Sequence, residues 1–473
     1  MIVFQVNAFA GSGQQLPDFG DSSGSVISPE YDRRIGQAIM RQVRNHRDVN
    51  QDPEVEAYIK SLGTRLVTHS DDNNLNFIFF MINDGAINAF AAPGGVVGVN
   101  SGVMLNSESE SELASVVAHE ISHVTQRHLA RTFEAASKLS LPTAAAAIGA
   151  ILLGIANPQA GQAALAAVLG ASAQYQINFT RANEEEADRI GMQLLVHAGF
   201  DPYGMPRFFE RLQQISRLYR GNPPEYLQTH PLTTSRIADS LSRAEQYPPS
   251  TYKDSQNYKL IRAKIRAEYF SSSEDAIRFF EQQLGSGGYP DMDSARYGYA
   301  IALMNAKDFT GAEQQLRTLL EGDRENLAYL LAAARLENDQ KKFQSAIEIY
   351  HETEKLYPGY RPLVMGYTRT LLDAGFPEKA RKLLRDYGQY HEQDHLYFDL
   401  LSQAEAEAGD PAESSIAKAE YYYLAGSTET AIKHLEFAQQ KHKMTYYQEE
   451  RVKARLAQLE YELELERELK LAE

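Results

Sequence analysis

Helix-spaced apolar stripes and short continuous apolar runs alternate through the first half of the chain. Residues 29–68 carry apolar positions at helical spacing, with Ile35, Ala38 and Ile39 on one face, and predict helix. Asn76 to Ile82 (NFIFFMI) is short, apolar and aromatic, which predicts a buried strand. Ile87–Ala92 and Val96–Val99 read as further strands around a Pro93-Gly94-Gly95 turn. A helix is then expected from near Ser107, where Glu110 follows a capping serine by three residues, with Leu113, Val116, Val117 and Val124 at helical spacing. A second helix is expected from about Arg181 to Ala198, stopping at Gly199. Between them, Thr143–Ala156 and Gly161–Ala173 form two Ala-rich apolar runs around Asn157-Pro158. Neither reaches the roughly 18–20 residues that span a bilayer. A buried helical hairpin, a lid over a site and a peripheral membrane contact all fit the segment 143–173.

Pro248-Pro249 and the polar run to Asn257 read as a linker, after which the pattern turns helical, tyrosine-rich and periodic. The phrase Ala-x-x-x-Leu/Tyr occurs at Ala312/Leu316, Ala346/Tyr350 and Ala380/Leu384, preceded by Phe309, Phe343 and Phe376. Looser copies start at Ala276 and Ala431. A period of 34 with small residues where paired helices cross is the tetratricopeptide signature, and stacked pairs leave a concave groove. Gln448–Glu473 reads as a charged capping helix. The fold expected is mainly α: an α+β domain with a small sheet over 26–247, then an all-α solenoid over 257–473.

Composition changes this picture little. Apolar residues make up 43% of the 473, and the formal charge of −16 argues against a nucleic-acid partner. Cysteine is absent, so disulfides and thiolate metal sites are excluded. Residues 1–10 (MIVFQVNAFA) form an apolar run ending in Ala8-Phe9-Ala10, the small-x-small pattern of a signal-peptidase site. With no positively charged n-region, the run reads as a signal-peptide remnant, and export is expected.

The candidate chemistry lies on the first of the two helices. His119 and His123, four residues apart, share a face and can grip one ion, and Glu120 beside them can reach a water bound to it. A zinc ion needs a third protein ligand and an open position. That ligand is sought in Asn183-Glu184-Glu185-Glu186-Ala187-Asp188, where Glu184 and Asp188 share a face; spacing alone chooses weakly among the glutamates. Glu185 and Glu186 fall on other faces and are expected to be solvated. His128, five residues past His123, falls off the metal face and is read as structural.

His119-Glu120-Ile121-Ser122-His123, the downstream Glu184…Asp188 and the Asn88-Ala89-Phe90-Ala91-x-Pro-Gly-Gly before the helix together resemble the gluzincin peptidases of the HtpX type. With the repeat half, the likeness extends over nearly the whole chain. It implies that His119, His123 and Glu184 bind one Zn2+, that Glu120 is the catalytic acid/base, and that Asp188 steadies a ligating histidine. Relatives often carry transmembrane helices, and these are not carried over. The segment Thr229–Arg236 also matches these peptidases: His230 is expected either to stabilise the oxyanion or to take zinc's fourth position and hold the enzyme latent. Arg236 is expected to bind the oxyanion or pair with a carboxylate. Gly95–Val99 is the candidate sheet edge for an extended substrate.

The resemblance implies a periplasmic zinc endopeptidase and chaperone that degrades misfolded or stalled outer-membrane proteins. Its repeat groove would dock the outer-membrane assembly machinery. The competing reading is an adaptor or chaperone acting through its repeats, with proteolysis silent. A metal-dependent hydrolase of a non-peptide substrate has nothing beyond the metal motif in its favour.

Overall fold

The structure is a computed structural model that describes residues 36–37, 39–44, 47–70, 76–128, 131, 173–218, 224–287 and 291–468. The apolar segment 143–173, except the backbone of Ala173, and residues 1–10, where a signal-peptide remnant is expected, lie outside the described residues.

The helical pattern expected over 29–68 is interrupted. Helical residues 39–44 are followed by an extended stretch in which Val49 bridges to Ile82, and then by α1 (Pro53–Val67). Asp52 sets the start of α1: its carboxylate accepts from the Glu54 and Val55 amides, and Pro53 occupies the first turn, where no N–H is needed. The sheet contains β1 (Ile78–Ile82), β2 (Ala89–Ala92) and β3 (Val96–Asn100), ordered β1-β3-β2. β1 runs parallel to β3, and β2 runs antiparallel to it. β3 is therefore the central strand, buried along its length. The expectation that Gly95–Val99 offers a free edge is corrected: both its edges are taken by neighbouring strands. The edge strands among the described residues are β1, bridged at its end by Val49 to Ile82, and β2.

After α2 (Ser101–Asn106) comes α3 (Glu110–Thr125), which carries the histidine pair. Its cap is Ser109, not Ser107. The Ser109 hydroxyl accepts from the Glu112 amide, while Glu112 reaches back to accept from the Glu108 amide just before the cap, two residues later than expected. Ser107 instead ends α2. Glu110 is thereby released for other contacts: its carboxylate accepts from the Tyr58 and Tyr252 hydroxyls and from Ser255. The segment read as a linker is thus fastened to the start of α3, and Asp254 accepts the Glu110 amide in return.

The second expected helix, α4, begins earlier and runs Ala173–His197; Gly199 (φ 80°) takes the left-handed turn beyond its end. A Cβ at Gly191 would stand 3.2 Å from the backbone of His119, so α3 and α4 cross there at close range. Next come α5 (Gly204–Leu218), the one-turn α6 (Tyr226–Thr229) and α7 (Thr234–Ala244).

Helix α8 (Gln256–Tyr269) belongs to two cores. Tyr258, Ile261 and Ile265 pack with the peptide segments around α1, α3 and α5, while Leu260 and Ala267 pack with the helices that follow. Its Arg262 and Arg266 donate to the carbonyls of Met104 and Leu105 at the end of α2.

From Ser273 to Glu468 every described element is a helix. The alanines at 276, 312, 346, 380 and 431 are all 0% exposed, as expected for residues at helix crossings. Left-handed residues recur at Lys307, Lys341, Gly375 and Gly409, each 34 residues after the last, at the turn between consecutive helices. A lysine there costs about 1 kcal/mol or more in backbone strain, and glycine's extra chain entropy offsets part of that. Lys307→Gly is therefore expected to raise stability by about 0.5 kcal/mol, read from urea unfolding midpoints. The last helix, Tyr446–Glu468, buries Val452 and Leu459 against the preceding pair, as a cap does.

The solenoid closes on the peptide-side elements. Arg361 pairs with Glu56 of α1 at 3.1 Å, Lys60 with Glu392 at 2.6 Å, and Arg44 donates to the Leu424 carbonyl at 2.7 Å. The stretch between Arg361 and Leu424 is thus engaged by the chain's own α1 and residues 39–44.

Candidate metal centre

Four donors converge where α3, α4 and the turn after α6 meet. His119 and His123, one helical turn apart, bring their Nε2 atoms to 3.0 Å. Glu184 of α4 reaches them at 3.5 and 3.4 Å. His230 completes the group, its Nδ1 lying 3.3 Å from His119 Nε2 and 3.1 Å from Glu184 Oε1. Bonds of about 2.0–2.1 Å to a tetrahedral ion require donors roughly 3.3–3.4 Å apart. The five separations cluster around that value, so the donor set fits a four-coordinate cation.

Glu120 supplies the second sign of fit. Its side chain is 0% exposed, yet neither carboxylate oxygen has a hydrogen-bond partner; His230 Nε2 lies 3.5 Å from Oε1. Such a group is costly unless something polar comes to meet it. Burial pushes its pKa up, with His230 and His119 opposing, which favours a carboxyl able to hold a proton.

The electrostatics favour a cation among the donors. Burial disfavours the His119 imidazolium, but Asp188 and Glu184 outweigh it and bring the pKa up to about 10. Burial and the neighbouring His119 push His123 well below its usual value. Burial would raise Glu184, but His230 and His119 hold it well below the carboxylate range. The donors thus favour positive charge among them, which a metal ion would supply.

Asp188 and Arg236 brace the group. Asp188 Oδ1 stands 3.0 Å from His119 Nδ1, which leaves Nε2 to face the other donors. Arg236, 4% exposed, donates through Nε and Nη2 to both Asp188 oxygens at 2.7 and 2.8 Å. Its Nη1 lies 2.9 Å from Glu184 and donates to the Pro231 carbonyl. Of the two roles expected of Arg236, pairing with carboxylates is the one its geometry serves.

His230 sits in a firmly held turn. Its amide donates to the Tyr226 carbonyl, its ring stacks on Tyr226 at 4.7 Å, and the Tyr226 amide donates to Ile87 beside β2. Glu185 is exposed as expected, but Glu186 is not simply solvated: it accepts from Arg131 at 2.7 Å and lies 3.1 Å from His128.

Comparison with known proteins agrees with this arrangement. Residues 53–244 match peptidase family M48, and 273–336 and 338–404 match the tetratricopeptide repeat. The chain is 39% identical to the beta-barrel assembly-enhancing protease of Escherichia coli (strain K12), covering 96% of this chain and 92% of that protein. It is 40% identical to a putative beta-barrel assembly-enhancing protease of Vibrio cholerae, covering 94% and 92%. The mitochondrial metalloendopeptidase OMA1 of Schizosaccharomyces pombe is 27% identical over 45% of this chain and 60% of its own length. With a motif-bearing helix, a convergent donor set and near full-length relatives, the chain belongs to peptidase family M48 and is a metalloprotease with a tetratricopeptide domain.

Proposed function

We propose that the chain is a zinc-dependent endopeptidase and chaperone of the Gram-negative periplasm that acts on outer-membrane β-barrel assembly and degrades misfolded or stalled intermediates. The observation carrying the chemistry is the four-donor group beside an unpartnered, buried Glu120. The assembly role rests on the names of the near full-length relatives. Among the described residues no helix is long and apolar enough to cross a membrane.

His119, His123 and Glu184 would hold the zinc, one ion per chain. A bound zinc ion lowers the pKa of water and polarises a carbonyl. Glu120 accepts the proton at a carboxylate oxygen and returns it to the leaving amine. Asp188 keeps His119 oriented, and Arg236 keeps Asp188 and Glu184 ionised and in place. An extended substrate adds to the open side of β2, which lies beside α3. Stalled outer-membrane proteins would be the clients, and the repeats would dock the assembly machinery; the surface between Arg361 and Leu424 is partly engaged by the chain itself. The peptidase unit would span 26–247 and the repeat unit 257–473, while 143–173 would serve as lid, membrane contact or core.

His230 is read as the fourth ligand of a latent state, because its Nδ1 joins the donor set while only its Nε2 approaches Glu120. His230→Ala is expected to raise basal cleavage of an unfolded β-barrel protein, followed by gel assay. A fall in activity with no gain under any condition would favour the oxyanion role instead. For the proposal as a whole, cells lacking the protein should accumulate unassembled β-barrel proteins, and zinc should co-purify at one ion per chain. Normal barrel levels in those cells, or absence of metal, would reject it.

A further inference from the structure

We propose that His128 is a positioning residue for His123, the middle of a relay from His123 through His128 and Glu186 to Arg131. The relay fixes which imidazole nitrogen His123 turns toward the ion. The proposal rests on the reading of His119, His123 and Glu184 as a metal site.

The geometry is specific. His123 brings Nε2 to the donor group, which leaves its Nδ1 pointing away; that atom lies 2.8 Å from Nδ1 of His128. On the far side of its ring, His128 Nε2 lies 3.1 Å from Glu186 Oε2, and Arg131 Nη2 donates to the same oxygen at 2.7 Å. With His123 Nε2 kept free of a proton to face the ion, one proton arrangement satisfies all these contacts. Glu186, paired with Arg131, is an acceptor, so His128 donates from Nε2 and presents a lone pair at Nδ1. His123 must then donate from Nδ1, which puts its own lone pair on Nε2, the nitrogen that faces the ion. His119 reaches the same tautomer through the carboxylate of Asp188. The two histidines of the motif are thus oriented by different chemistries, a carboxylate for one and a neutral ring for the other.

Local backbone makes the relay available. A helix continued past Thr125 would carry position 128 away from His123. Instead α3 ends at Thr125, and Arg127 takes the left-handed conformation (φ 51°), which brings His128 back against His123. His128 is 3% exposed, so it is held rather than free to sample other partners.

The test is zinc affinity of the full-length protein, measured by competition with a chromophoric chelator, together with the visible spectrum of the cobalt-substituted form. His128→Leu removes the acceptor and is expected to weaken zinc binding about 10–100-fold and shift the cobalt bands. His128→Gln, whose amide oxygen can accept from His123, should recover part of the loss. Glu186→Ala should weaken binding in the same direction by a smaller factor. A purely structural His128 would lower the melting temperature of the metal-free protein and leave affinity unchanged. Affinity within about twofold of wild type in a folded His128→Leu protein overturns the relay. If that variant does not fold, Glu186→Ala decides, and unchanged affinity there overturns it. If the wild type itself binds no zinc, the metal-site reading falls and takes the relay with it, an outcome distinct from loss of the relay alone.

Discussion

Glu120→Gln is expected to cut peptide hydrolysis about 10²–10⁴-fold while metal content stays at one ion per chain. General acid–base catalysis by a placed side chain contributes on that order, and glutamine keeps the size of glutamate while losing its ability to take up and release the proton. Little else should change, because the Glu120 oxygens make no hydrogen bond that folding depends on. An uncharged amide is less costly to bury than a carboxylate. The variant also separates the two functional readings. If it still restores β-barrel assembly in cells lacking the protein, the repeats carry the main task and proteolysis is secondary. Hydrolysis by the variant within about threefold of wild type would remove Glu120 from the chemistry.

Lys264→Met should produce the largest loss of stability, about 3–5 kcal/mol near neutral pH, the usual result of stripping one partner from a buried ion group. Lys264 lies on α8 and is 3% exposed; its ammonium reaches Asp52 at 2.6 Å and also Glu54, both at the start of α1. Burial alone would raise the Asp52 pKa, but Lys264 and the Glu54 and Val55 amides hold it below its ordinary value. Asp52 therefore adds stability above its unfolded pKa and loses that contribution as the pH falls through its folded pKa. Without Lys264 both carboxylates are pushed up, and the penalty is relieved when they take protons. The gap between variant and wild type should thus be widest near pH 7 and narrow toward pH 4, followed by urea unfolding across that range. A gap that is constant with pH would show that lost packing, and not lost charge pairing, is responsible.

Much of the site was legible because helical periodicity fixes it locally. Four-residue spacing suffices to place His119 beside His123, and Glu184 above Asp188. What periodicity cannot supply is where a helix ends. Extrapolating the helix places His128 away from His123, whereas the left-handed turn at Arg127 sets its Nδ1 2.8 Å from His123 Nδ1. The same limit misplaced the cap of α3, since Ser107 and Ser109 both stand before an acidic residue three positions on, and only the tertiary partners of Glu110 decide between them. Strand order was likewise hidden: the three apolar runs were found, but the sequence pattern says nothing about which strand lies in the middle. In the repeats, by contrast, the alanines and the left-handed turns follow a regular count, so the solenoid could be read almost directly.

Helix α8 has a consequence for how this molecule is divided. The boundary of the peptidase family match falls at residue 244 and the repeat match begins at 273, yet Tyr258, Ile261 and Ile265 beyond the first of these form part of the wall of the first core. A chain cut at that boundary would leave this wall missing and uncover an apolar face. The metalloprotease core is therefore completed by a helix that also packs with the repeats, and a pull or tilt applied to the solenoid acts through α8 on the same core that seats α3.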